Sequence, residues 1–216
     1  RLETGDDLAS RKLLPVDFDS HEDVLMRLEV KLALPLGSEG GIELLGEDIT
    51  NADPNLLVKM GMAFVPQEKN VFVSLTVQEN LEMGAFLRRD NFQRTLDSVY
   101  HYFPDLKDKH YQPAGELSRG QRQMVAMGRA LMIEPKVLLL DEPTAGLSPL
   151  YMNEIFERIV TINREGVGIL MVEQNAKQAL RIAHKGFVLA AGRNRFTDTG
   201  ENLLNDPEVA KSFLGG

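Results

Sequence analysis

An α/β fold, a mostly parallel sheet flanked by helices, is the class this sequence predicts, on three observations. Val137-Leu138-Leu139-Leu140 is an unbroken apolar run of strand length, as expected for a parallel strand buried on both faces. Val167 to Val172 is a second such run, and Phe187 to Ala191 reads as a further strand. Helix-start signals lie around them. Ser118 precedes a helical pattern to about Met132, Ser148-Pro149 one that ends near Gly166, and Asn175 one that ends at Lys185-Gly186. Strands alternating with helices argue for βαβ units and a sheet whose active site lies beyond its carboxyl ends.

The earlier chain carries weaker signals. Residues 1–25 are polar, with acidic pairs at Asp6-Asp7 and Glu22-Asp23, and receive no element. Met26 to Lys31 alternates like a half-buried strand, Gly37 to Gly41 reads as a turn, and Ile42 to Leu45 as a strand ending at Gly46. Asn55 to Met60 reads as a short helix and Met62 to Val65 as a strand stopped by Pro66. Thr76 and Glu79 form a T-x-x-E capping box for a helix through about Arg88, and Asn91 to Phe103 is a second helix, stopped by Pro104. Residues from about 69 to 111 therefore read as a small helical insert in a domain spanning 26–216.

Composition narrows the function classes. A chain of 216 residues can bury roughly 70% of its unfolded surface and needs no covalent staples. It has no Cys, which excludes a disulfide framework and Cys-ligated metal and fits a reducing compartment. A net charge of -8 argues against nucleic acid as a partner. No apolar run approaches the roughly 20 residues that span a bilayer, and Arg1 to Leu8 is too polar for a secretory signal. His21, His101, His110 and His184 show no metal-ligand spacing. Met124, Met127 and Met132 fit core packing on one helix.

Two stretches carry chemistry. Leu138-Leu139-Leu140-Asp141-Glu142-Pro143 ends a buried strand in adjacent carboxylates, which must be exposed or paired because an unpaired buried carboxylate is costly. They read either as an acidic turn or as a nucleotide site in which Asp141 holds Mg²⁺ and Glu142 polarises the water that attacks a γ-phosphate. Just upstream, Leu117-Ser118-Arg119-Gly120-Gln121 opens a helix whose free N–H groups and positive dipole end suit phosphate. An ordinary capped helix is the plainer alternative.

Together the two stretches resemble the signature sequence and Walker B motif of ABC transporter ATPases. The resemblance covers roughly residues 42–216 and implies a P-loop NTPase-like fold. Phe64-Val65-Pro66-Gln67 looks like the Q-loop, whose Gln67 contacts the metal and the attacking water and senses the membrane partner. Residues 69–111 look like the helical subdomain that docks on that partner, and Thr144 to Pro149 looks like the D-loop. Val172-Glu173-Gln174-Asn175 stands where the switch-histidine loop belongs, with Gln174 in the catalytic place. The family pattern implies ATP and Mg²⁺ as cofactors and transmembrane permease subunits as partners, at the cytoplasmic face of the membrane. It also implies a homodimer, or a heterodimer with a paralogous ATP-binding subunit, in which Ser118, Gly120 and Gln121 face the γ-phosphate held by the other subunit. Val65-Pro66-Gln67-Glu68 with Asn70-Val71-Phe72, Gly146-Leu147-Ser148-Pro149 and the Val-Glu-Gln-Asn stretch point within the family to branched-chain amino-acid importers; urea and amide importers look similar.

Three departures stand against this pattern. No G-x-x-x-x-G-K-[ST] phosphate loop occurs in the 216 residues: Lys12 and Lys31 each precede Leu, and Gly37 to Gly41 reads as a plain turn. The join between Met26–Lys31 and Leu34–Gly41 looks like a deletion, which would leave apolar sheet neighbours uncovered. Phe18 is a weak candidate for the adenine-stacking aromatic. Secondly, Arg119 replaces the family's usual Gly, and either contacts phosphate or faces solvent. Thirdly, Gln174 can hydrogen-bond a γ-phosphate but cannot become a cation, which throws more of the hydrolysis onto Glu142. The missing Lys leaves a second reading, a non-hydrolysing module that completes a partner subunit's ATP site.

Overall fold

The computed structural model describes residues 15–17, 27–30, 41–190 and 193–213. Phe18, His21, Gly37, Gly40 and most of segment 1–25 lie outside them.

The chain opens with short strands β1 (Pro15–Asp17), β2 (Arg27–Val30), β3 (Ile42–Leu44) and β4 (Glu47–Asp48), which form an antiparallel sheet in that order. The β3–β4 turn passes through Leu45 and Gly46, both at positive φ. Helix α1 (Pro54–Lys59) starts at Asp53, whose carboxylate accepts from the Asn55 N–H at 2.8 Å, with Pro54 in the first turn. Strand β5 (Met62–Val65) follows, and then helices α2 (Val77–Gly84), α3 (Gln93–Tyr102), α4 (Pro104–Asp108) and α5 (Arg119–Leu131). The expected capping box opens α2: Thr76 Oγ1 accepts from the Glu79 N–H at 3.2 Å, and Glu79 accepts from the Thr76 N–H at 2.7 Å. Pro104 opens α4 rather than merely stopping α3, because its missing N–H costs nothing in a first turn.

Strand β6 (Val137–Asp141), helix α6 (Pro149–Arg164), strand β7 (Gly168–Val172) and helix α7 (Ala176–Ile182) complete the alternating part. The predicted parallel sheet flanked by helices is present, as β5-β6-β7, with Val65 opposite Leu140 and Asp141 opposite Val172. A hairpin of β8 (Gly186–Ala190) and β9 (Arg193–Asp198), then α8 (Gly200–Asn205) and α9 (Pro207–Phe213), closes the described chain. The last three elements carried no clear sequence signal.

Alternation gives the parallel sheet two faces. On one, Ala63, Val65, Leu138 and Leu140 form one core cluster with Met124, Val125 and Met127 of α5 and Ile155, Ile159 and Ile162 of α6. On the other, Met62 and Val137 pack with Leu44 and Ile49 of the antiparallel part. That second cover stops short: Phe64 and Val172, further along the same face, are 57% and 62% exposed.

Helix α2 ends at Gly84, four residues before the expected Arg88, and the end has a physical reason. The Arg88 guanidinium donates from Nη1 to the Met132 carbonyl at 2.9 Å and to Thr95 Oγ1 at 2.8 Å, and grips both oxygens of Asp90. Glu134 lies 3.2 Å from it and accepts from the Thr95 hydroxyl. This cluster ties the turn after α2 to α3 and to the end of α5. The Arg88 hydrogen bond lowers the Asp90 pKa, and Thr95 with Arg88 lowers that of Glu134. Arg88→Met should therefore lower unfolding stability by about 1–2 kcal/mol in urea titrations, through the lost bonds to Met132 and Thr95. Both carboxylates are depressed in the folded state, so their contribution is present above the unfolded carboxylate range and is lost as pH falls through the folded values. The variant's stability should accordingly fall less steeply on acidification than the parent's.

Candidate functional site

Strands β5, β6 and β7 run parallel, so their carboxyl ends finish at one edge of the sheet. Asp141 is the last residue of β6. Glu142 follows it with φ +44, a left-handed conformation that costs a non-glycine residue of order 1–3 kcal/mol and persists only where its surroundings enforce it. Here the Glu142 N–H extends the pairing by donating to the Val172 carbonyl at 2.8 Å. The side chain then sits between two carboxamides. Gln67, two residues beyond β5, donates from Nε2 to Glu142 Oε2 at 2.6 Å. Gln174, two residues beyond β7, donates from Nε2 to Glu142 Oε1 at 3.1 Å. Three adjacent strand ends thus deliver Gln67, the Asp141-Glu142 pair and Gln174 to one place. Asp141 is half-buried, and its carboxylate makes no hydrogen bond or ion pair among the described residues.

The second group of candidates stands apart from this cluster, to which no hydrogen bond joins it among the described residues. Ser118 is the N-cap of α5: its Oγ accepts from the Gln121 N–H at 3.2 Å, while Gln121 Oε1 accepts from the Ser118 N–H at 3.1 Å. The two side chains close a capping box on each other. Gly120 is buried, and a Cβ there would lie 2.5 Å from the Tyr151 ring of α6, so close packing demands glycine. Arg119 is exposed, with its guanidinium against Gly146, where an added Cβ would come within 2.6 Å of Nη1. The helix start and the stretch 144–149 therefore touch within one chain. The buried side chains Asn70 and Gln123, 2.7 Å apart as Nδ2 donor and Oε1 acceptor, join the segment after Gln67 to α5.

The sequence reading missed the role of Glu173 and misassigned that of Asn175. Glu173 accepts from both the N–H and the hydroxyl of the buried Thr144, tying the stretch after β6 to the stretch after β7. The usable signal was the rule that flagged Asp141 and Glu142, a carboxylate at the tip of an apolar strand. Asn175, expected to cap α7 with its side chain, does not: its Nδ2 donates to Met152 Sδ and to Gln178 Oε1, both at 2.8 Å.

A cluster of this kind can position water and a divalent cation. Mg²⁺ is commonly held by one or two carboxylates plus phosphate oxygens, and among the described residues no group of three or more His, Cys, Asp or Glu forms a closed cage. Gln67 and Gln174 are neutral at all accessible pH, so the local charge resides on Asp141 and Glu142. Two clefts, of about 490 and 750 Å³, lie elsewhere, beside α8 and at the opposite ends of the strands, and neither contains Glu142.

Comparison with known proteins agrees with the motifs. The ABC transporter family profile matches residues 24–145. The chain is 45% identical over 183 residues to the high-affinity branched-chain amino acid transport ATP-binding protein BraG of Pseudomonas aeruginosa, covering 84% of this chain and 78% of the relative. It is 39% identical over 178 residues to the probable branched-chain amino acid transport ATP-binding protein LivF of Archaeoglobus fulgidus, covering 82% and 75%. Among solved structures, an ATP-binding cassette of an ABC transporter in its ADP conformation superposes with a TM-score of 0.72 at 26% identity, covering 82% of this chain and 78% of that one. The chain belongs to the ABC transporter family, among its ATP-binding subunits.

Proposed function

We propose that this chain hydrolyses ATP to drive uptake of amino acids, branched-chain amino acids above all, through a transmembrane permease at the cytoplasmic face of the membrane. The observation that carries the reading is the convergence of Gln67 and Gln174 on Glu142 at the ends of three adjacent parallel strands. The substrate class rests on the similarity to BraG and LivF.

In this reading Glu142 accepts a hydrogen bond from the attacking water, which takes the place of one carboxamide donor and is aimed by the other. Asp141 and Gln67 would hold Mg²⁺, which would neutralise charge on the transferred phosphoryl group. Gln174 hydrogen-bonds the γ-phosphate without carrying charge. Ser118, Gly120 and Gln121 complete the site of a second subunit, either a copy or a paralogue, through the N-terminus of α5. Residues 26–216 form the ATPase domain. The helical subdomain at about 69–111 docks on the permease, and its exposed Phe72, Val73, Met83, Phe86 and Leu87 suit an apolar contact. The donor set fits the metal and γ-phosphate side of the nucleotide. For the β-phosphate side, no G-x-x-x-x-G-K-[ST] motif is present in the sequence.

Binding is the first test. Mg-ATP at about 100 times its Kd should raise unfolding stability by about 2.7 kcal/mol, read as an upward shift in Tm; an unmoved Tm would remove ATP binding from this chain. Glu142→Gln should retain that shift and lower kcat by about 10²–10⁴-fold, and a variant that turns over at the parent rate would falsify the role of Glu142. Gln174→His should add to the hydrolysis rate a pH dependence near the ordinary histidine pKa, about 6.5, seen as a difference from the parent profile measured alongside it.

A further inference from the structure

Glu142, Gln67 and Gln174 leave one neighbouring carboxylate without a role in hydrolysis. Glu173 Oε1 accepts from the Thr144 N–H at 2.8 Å and from the Thr144 hydroxyl at 2.5 Å, and its Oε2 accepts from the Asn175 N–H at 3.2 Å. Thr144 is 2% exposed and Glu173 half-buried, so the two bonds to Thr144 are partly shielded from water and worth more than at a surface. The two stretches are also joined at their other end, by the Glu142 N–H on the Val172 carbonyl. The segment 142–144 and the segment 172–175 are thus stitched twice, once at Glu142 itself and once at Glu173, whose second bond, from Asn175, closes the turn that holds Gln174. Asn175 adds a third tie, to Met152 on α6.

We infer that Glu173 is a positioning residue. Its carboxylate locks the turn that bears Glu142 to the loop that bears Gln174, and so sets the Gln174–Glu142 contact. It also holds the start of the stretch 144–149 in step with that loop. A carboxylate is needed because three donors converge on it; a glutamine offers one carbonyl oxygen and would turn an NH₂ group towards the third donor. The effect on rate rests on the hydrolytic reading of Glu142, whereas the bracket itself is a property of the folded chain.

Two readouts on the full chain separate these levels. In hydrogen exchange, Glu173→Gln should keep the Thr144 amide protected while the Asn175 amide exchanges at least about ten-fold faster, and Glu173→Ala should speed both. In the chain assembled with its permease, Glu173→Gln should lower kcat by about 10–100-fold with KM for ATP within about two-fold, and should add little in a Glu142→Gln background, because residues acting as a unit are non-additive. Unchanged exchange in both variants overturns the bracket. An unchanged kcat, or KM and kcat that worsen together with a lowered Tm, overturns the positioning role. A parent chain that hydrolyses no ATP would sink the proposed function, and the exchange pattern would then decide the inference alone.

Discussion

The parallel pairing of β6 between β5 and β7 is the constraint on which the rest of the structure depends. Val137, Leu138 and Leu140 are buried, and the strand is covered on one face by α5 and α6 and on the other by the antiparallel part. Each such side chain gains about 1.5–3 kcal/mol by leaving water, and a one-residue slip would exchange the two faces, so the register is tightly specified. With the register set, Val65, Leu140 and Met171 lie level. The residues just beyond the three strands, Gln67, Glu142 and Gln174, then arrive together as a consequence. The positive φ at Glu142 is the local strain this arrangement carries, and it turns the carboxylate towards both carboxamides.

What could be read in advance follows the range of the interaction. The caps at Thr76, Ser118 and Ser148 depend on partners three residues away, and the apolar run of β6 on burial alone. Elements fixed by distant contacts were not legible. Strand β9 contains one apolar residue, Phe196, and exists through pairing with β8. Helices α8 and α9 are six and seven residues long, too short to persist alone, and are held by Leu203 and Val209 packing with Leu180 of α7. Helix α2 stops early because Arg88 is drawn to Met132, 44 residues away.

The site shows the same division. Asp141 and Glu142 stood out as two carboxylates at the tip of an apolar strand, which must be exposed or paired, and the nearby Leu117–Gln121 stretch favoured a nucleotide site over an acidic turn. Glu173 follows the same rule but answers to Thr144, 29 residues earlier, a contact no local pattern announces. Ser118 and Gln121 were recognised as a helix start, yet their side-chain oxygens are occupied in accepting from each other's backbone N–H groups, so the donors left for a phosphate are the Ser118 hydroxyl, the Gln121 Nε2 and the N–H groups of Arg119 and Gly120.

The exposed end of the sheet bears on how such a site is built. Phe64 and Val172 are more than half exposed, on the face that Met62 and Val137 bury lower down, and Val172 lies directly opposite Asp141. Parallel strands ordinarily have both faces covered, and large apolar side chains at the rim of a carboxylate pair are costly in water. The cluster of Gln67, Glu142 and Gln174 needs only strand ends and hydrogen bonds, and it is assembled without help from that face. The phosphate cradle of the family is a different kind of object, a loop and helix N-terminus laid over a sheet. Any element that covers Phe64 and Val172 would bring its backbone close to Asp141 and Glu142. An element that buried the apolar rim would therefore stand where a phosphate cradle would have to lie, so the two requirements fall at one place.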